Sequence, residues 1–81
     1  MTKITLNGTW KKVVDADQSY LLQSMTDGKY IVANVTTAPL DNLGFTLDCG
    51  DSLSSAAYPA TAGIWAKTVQ GTIELAVDSW E

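Results

Sequence analysis

Short segments of alternating apolar and polar residues run along most of the chain and are separated by turn residues. The clearest example is 72–78, where branched apolar residues occupy every second position. This period of two predicts a strand with one buried face, and a shift of one residue would expose that whole row. The preceding segment, 64–69, has similar composition and is joined to it by Gln70-Gly71. We therefore predict a β-hairpin over 64–77.

Two further hairpins and a short strand are predicted from the same signals. Asn-Gly and Asp-Gly favour tight turns because both residues tolerate positive φ. The first predicted hairpin pairs 4–6 with 9–14 across Asn7-Gly8. The second pairs 19–25 with 29–35 around a turn at 26–28. The short strand is 44–47. No segment has sustained helical spacing of apolar residues. Roughly six to seven short strands and hairpins predict one all-β domain over 1–81, a small antiparallel β-barrel or β-sandwich.

Residues 52–61 form the longest stretch without a clear strand pattern. The segment is rich in small residues, and Pro59 disfavours a central strand position. Irregular segments of this length are uncommon in compact domains and often contact a partner. We predict an irregular loop here and name it the contact arm.

The alternation also predicts which residues form the core and which lie at a surface. Three tryptophans and three tyrosines are many for a core of this size, so we expect some of them to be exposed. Trp65 and Trp80 are expected either in an interface or packed over a barrel mouth. The predicted core is Leu6, Trp10, Val14, Leu21, Ile31, Ala33, Phe45, Leu47, Ile64, Ile73, Leu75 and Val77. The predicted interface residues are Trp65, Trp80, Tyr58, Ser52, Leu53, Ser54, Ser55 and Pro59.

Composition argues against catalysis and against nucleic-acid binding. The 81 residues include no histidine, and all five basic residues are lysines. The chain thus lacks the imidazole base of most hydrolases and the guanidinium fork that binds phosphate. A net charge of −4 would repel a phosphate backbone. No apolar stretch approaches the roughly 20 residues of a membrane span. The first residues enter a strand pattern directly, so we expect synthesis in the cytoplasm without a secretion leader.

Individual residues that could carry chemistry each have a simpler structural explanation. Asp15 and Asp17 fit a solvated connection better than a calcium loop, which needs further oxygen ligands at set positions. Asp48 and Asp51 could form a weak cation site in a turn. Lys67 is the one lysine placed to act as a base, but a surface lysine is expected there. Cys49, the single cysteine, is expected to be an inert apolar residue. We therefore predict no enzyme activity, no metal and no cofactor.

Exposed aromatic residues leave carbohydrate binding open as an alternative. Trp10, Trp65 or Tyr58 could stack on a sugar ring, although their spacing defines no platform.

Short motifs along most of the chain carry a family resemblance. They are Trp10-Lys11-Lys12-Val13, Tyr20-Leu21-Leu22-Gln23, Tyr30-Ile31-Val32, a loop at Pro39, Leu47, Gly50-Asp51-Ser52-Leu53, Gly63-Ile64-Trp65-Ala66-Lys67 and Gly71-Thr72-Ile73. In this order they resemble small virion-associated structural proteins of tailed bacteriophages and prophages. The end at Trp80-Glu81 departs from that pattern, because those proteins often end after the last strand.

The resemblance implies a β-fold assembled on the particle, as a capsid decoration protein or a small tail or adaptor component. The expected partners are capsid or tail proteins and further copies of this chain, with a trimer favoured. A tail-associated receptor- or glycan-binding module is the alternative. Small domains without disulfides often gain stability by association, which agrees with this expectation.

Overall fold

A computed structural model describes residues 2–26, 28–39, 44–48 and 51–81. Within these ranges the chain forms eight strands and no helix. The strands are β1 Thr2–Leu6, β2 Lys11–Val14, β3 Ser19–Ser24, β4 Tyr30–Asn34, β5 Phe45–Leu47, β6 Ser52–Ser54, β7 Ile64–Thr68 and β8 Ile73–Trp80.

The strands form two antiparallel sheets of four strands each. The first sheet has the order β1-β8-β3-β6 and the second has the order β2-β7-β4-β5. The molecule measures 31 × 26 × 19 Å, and the shortest dimension suits two sheets packed about 10 Å apart. The predicted all-β fold is confirmed, and the structure is a sandwich rather than a closed barrel.

None of the three predicted hairpins exists as a pair of neighbouring strands. β1 pairs with β8, β2 with β7, and β3 with β6 and β8, so each predicted partner lies in the opposite sheet. The turns themselves are sharp: at the first, the Asn7 side chain accepts a hydrogen bond from the Thr9 N–H at 2.9 Å. At each of these turns the chain passes from one sheet to the other, because the strands before and after the turn each bury a row of apolar residues. Those rows meet face to face only when the strands lie in opposite layers.

β8 is one of the two inner strands of the first sheet and the longest strand described. Ile73, Leu75 and Val77 are at most 3% exposed, which confirms the predicted face of this strand. β1 pairs along one side of β8 and β3 along the other. In the second sheet, β2 carries a register shift between Lys12 and Val14, so two successive valines are buried.

The predicted core is largely correct but is shifted by one residue on β3. Leu21 is 41% exposed, whereas its neighbour Leu22 is fully buried. Phe45 is 55% exposed, and Trp10 and Leu47 are only partly buried. The confirmed core residues are Leu6, Val14, Ile31, Ala33, Ile64, Ile73, Leu75 and Val77. Those missed are Val13, Tyr20, Leu22, Tyr30, Val32, Ala60 and Ala66.

The contact arm is irregular only in part. Residues 52–54 form the edge strand β6, which pairs antiparallel with β3, and Leu53 packs against the core. Residues 55–61 contain turns but neither strand nor helix. The alternation that identifies the longer strands cannot be recognised over three residues, which is why this strand was missed.

Candidate interaction surface

Asn34, the last residue of β4, fixes the end of the contact arm. Its side-chain oxygen accepts hydrogen bonds from the backbone N–H groups of Ala62 at 2.9 Å and Gly63 at 3.1 Å. Its amide nitrogen donates to the carbonyl of Pro59 at 3.1 Å and to the hydroxyl of Thr61 at 2.8 Å. One side chain thus organises a five-residue stretch of backbone.

Two tyrosines join the middle of the contact arm to the sandwich. The buried Tyr20 donates its hydroxyl hydrogen to the carbonyl of Tyr58. The Tyr58 hydroxyl accepts a hydrogen bond from the backbone N–H of Asn34 at 2.9 Å. The rings of Tyr58 and Phe45 pack edge to face, with their centroids 4.9 Å apart. Burial, and to a lesser extent the neighbouring Tyr58, raises the pKa of Tyr20 to about 12. Tyr58 therefore has an internal role, and its part in an interface stays a prediction.

The two tryptophans predicted at an interface lie on opposite outer faces of the sandwich. Trp65 is opposite Lys12 and Ala33 in the second sheet, and it is half-buried. Its indole Nε1 is buried and has no hydrogen-bond partner among the residues described. Trp80 lies at the end of β8 in the first sheet and is 50% exposed. A single flat contact therefore cannot include both side chains.

The outer face of the first sheet carries an exposed apolar pair. In the register, Trp80 lies opposite Ser19, and Leu21 lies between Asp78 of β8 and Ser54 of β6. Because side chains alternate along a strand, all five of these residues project from the same face. We name this face, with the exposed Ser52, the outer apolar face. It carries three of the predicted interface residues, Trp80, Ser52 and Ser54, and adds Leu21.

Charge on this side of the first sheet is mixed. Lys3 Nζ lies 3.2 Å from a carboxylate oxygen of Glu74, and both side chains are well exposed. Exposed pairs of this kind contribute little to stability, so this one mainly balances charge at the β1 edge.

Three of the candidate chemical residues, Asp48, Asp51 and Lys67, have partners within the described part of the chain. The Asp48 N–H donates to an Asp51 carboxylate oxygen at 2.9 Å, and the Asp51 N–H donates to the Asp48 carbonyl at 3.1 Å. Asp48 and Asp51 therefore already bond to each other, while Lys29 Nζ approaches an Asp48 carboxylate oxygen at 3.9 Å. Lys67 Nζ lies 5.9 Å from the ring centre of Trp10, within range of a cation–π contact.

Metal-ligand clusters and membrane helices do not occur in the described ranges. No group of three or more Asp, Glu, Cys or His side chains is close enough to hold a metal ion there. The same residues include no helix long and apolar enough to span a membrane. The prediction for Cys49 lies outside the described residues.

Comparison with protein-family models, with curated proteins and with solved structures gives no match. The resemblance to virion-associated proteins therefore stays a prediction.

Leu21 and Asn34 are the surface-organising residues that sequence reasoning missed. For Leu21 a signal existed, since Tyr20, Leu22 and Ser24 form one alternating row that leaves Leu21 outside. For Asn34 there was none, because its partners lie 25 to 29 residues away along the chain.

Proposed function

We propose that this chain is a non-enzymatic virion structural protein of a tailed bacteriophage. In this role it decorates and stabilises the capsid by binding the major capsid protein as a homo-oligomer, with a trimer favoured. The observation that carries the proposal is the outer apolar face, where Leu21 and Trp80 are 41% and 50% exposed. An exposed apolar pair surrounded by polar residues, here two serines and Asp78, is typical of a protein-binding surface.

The exposed pair offers useful but modest binding energy in each copy. About half of a tryptophan side chain amounts to roughly 100 Å² of area, which is worth about 2.5 kcal/mol when removed from water. The exposed part of Leu21 adds about 1 kcal/mol. Such a contact is weak alone and becomes strong when several linked copies bind a repeating lattice together. The modest binding energy of each copy therefore supports an oligomer that binds the capsid lattice through several copies at once.

Charge and size also support the outside of a particle. A net charge of −4 is unfavourable next to packaged DNA and favourable for solubility on an outer surface. A domain of 81 residues has a thin core, and binding in the folded state stabilises it further by mass action.

The test is co-purification with particles, combined with measurement of their heat resistance. Leu21→Ser and Trp80→Ser should each lower occupancy on particles, and the particles should lose heat resistance in parallel. Val69→Ser is the matched control, because Val69 is 56% exposed in the turn between β7 and β8, away from this face. Wild-type protein that neither binds particles nor changes their heat resistance would refute the proposal, as would equal loss in all three variants.

A second candidate function is a tail-associated receptor- or glycan-binding module. It is favoured by the exposed Trp80, whose cross-strand partner Ser19 lines a cleft with polar side chains. Binding to a glycan array that is lost in Trp80→Ala or Trp65→Ala would support it. An array without binding, together with intact particle binding, would count against it.

A further inference from the structure

A polar cleft lies between the start of β3 and the contact arm. Its volume is about 410 Å³, within the range of small-molecule sites. One wall is formed by the connection between β2 and β3, and the other is formed by the arm. The lining residues are Asp17, Gln18, Ser19, Ser55, Ala56, Pro59, Ala60 and Thr61.

Three consecutive side chains offer hydrogen-bonding groups along the first wall. The Asp17 carboxylate accepts, the Gln18 amide both donates and accepts, and the Ser19 hydroxyl does both. Within the described residues the structure gives these three side chains no hydrogen-bond partner. A ligand rich in hydroxyl groups can therefore bind them without displacing an internal contact.

The backbone behind these side chains is held in place. The Asp17 N–H donates to the Ala60 carbonyl at 2.7 Å, and Asp17 adopts a φ of +64°. Ser55 forms two hydrogen bonds with Tyr20: its N–H donates to the Tyr20 carbonyl at 3.1 Å, and its hydroxyl oxygen accepts from the Tyr20 N–H at 3.3 Å. Since both walls are joined to each other by backbone contacts, little ordering is needed on binding.

An exposed indole adjoins the polar groups. Trp80 is the cross-strand partner of Ser19, and directly opposed residues in an antiparallel pair have Cβ atoms about 5 Å apart on the same face. Half of the Trp80 side chain is exposed. An exposed aromatic face beside several hydrogen-bonding groups suits a pyranose, which has an apolar ring face and a rim of hydroxyls.

We propose that the polar cleft and Trp80 together bind a neutral pyranose sugar. The carboxylate of Asp17 and the net charge of −4 disfavour sialylated and other acidic sugars. This inference rests on the second candidate function and replaces Trp65 with Trp80 as the stacking residue. Because Trp80 also belongs to the outer apolar face, the sugar and the capsid protein would compete for it.

The test is an NMR titration of the intact chain with glucose, galactose, mannose and N-acetylglucosamine, with sialic acid as the acidic comparison. At least one neutral sugar should bind in the millimolar range. It should shift the Trp80 indole N–H and the amides of 17–19, whereas sialic acid should not. An absence of shifts with all the neutral sugars would overturn the proposal.

Variants separate this site from other sugar sites. Trp80→Ala should weaken binding about tenfold or more, as expected for loss of one stacking contact. Asp17→Asn should also weaken it, and asparagine tolerates the positive φ at this position. Trp65→Ala should leave binding unchanged. Loss in Trp65→Ala with retention in Trp80→Ala would refute the cleft while leaving a glycan-binding function in place.

Discussion

Replacing Asn34 with alanine should release the contact arm and destabilise the whole domain. The change removes four side-chain hydrogen bonds, to Pro59, Thr61, Ala62 and Gly63. Each is worth about 0.5–1.5 kcal/mol net, and the two donated by the amide are partly exposed, so we expect a loss of about 2–4 kcal/mol. The buried Gly63 N–H adds to the cost because alanine leaves it without an acceptor.

Urea unfolding followed by circular dichroism measures this loss directly. For a domain of this size, 1 kcal/mol corresponds to about 4–8 °C in Tm, so the Tm should fall by at least about 8 °C. Asn34→Asp is the matched control, because it keeps the acceptor for Ala62 and Gly63 but loses the amide donor. Its loss should be intermediate. A change below about 0.5 kcal/mol in Asn34→Ala would refute the role assigned to this residue.

Three further predictions test the sandwich itself. Leu22→Ala should cost about 2–5 kcal/mol in urea unfolding. Its neighbour Leu21 is 41% exposed, so Leu21→Ala should cost only about 1 kcal/mol, and equal losses would contradict the register of β3. Gly44→Ala should prevent stable folding, because a Cβ there would lie 2.3 Å from the Val32 carbonyl oxygen and Gly44 has a φ of +150°. The dispersion of the NMR spectrum measures this, and a stable variant with well-dispersed signals would contradict the close contact. The pKa of Tyr20 is raised to about 12 from 10.0, so its contribution to stability is complete below pH 10 and is lost as the pH rises through 12. Tyrosinate absorbance should show a late-ionising tyrosine that is missing in Tyr20→Phe, and identical titrations of the two proteins would exclude it.

Strand positions and several turn positions followed from the sequence because they depend on local chemistry. Ile73, Leu75 and Val77 occupy every second position, so only one face of the strand can be the buried one. The pairing of strands did not follow, because a sharp turn at Asn7-Gly8 or Gln70-Gly71 serves a hairpin and an inter-sheet crossing equally well. Only the packing of two apolar faces decides between them, and that is a property of the whole domain.

The candidate surface was predictable in part for a similar reason. Trp80 at the end of an alternating strand indicated an exposed aromatic residue, and the structure places it there. Leu21 was assigned to the core because Leu21 and Leu22 are identical in type and differ only in register. Asn34 and the polar cleft depend on contacts across more than 20 residues of chain, which no local pattern contains.

Cryo-electron microscopy of particles assembled in the presence of this chain tests the proposed function most directly. We expect density for the sandwich at regular positions on the shell, with the outer face of the β1-β8-β3-β6 sheet, including Leu21 and Trp80, against the capsid protein. Density confined to the tail, or no density on the particles, would contradict capsid decoration.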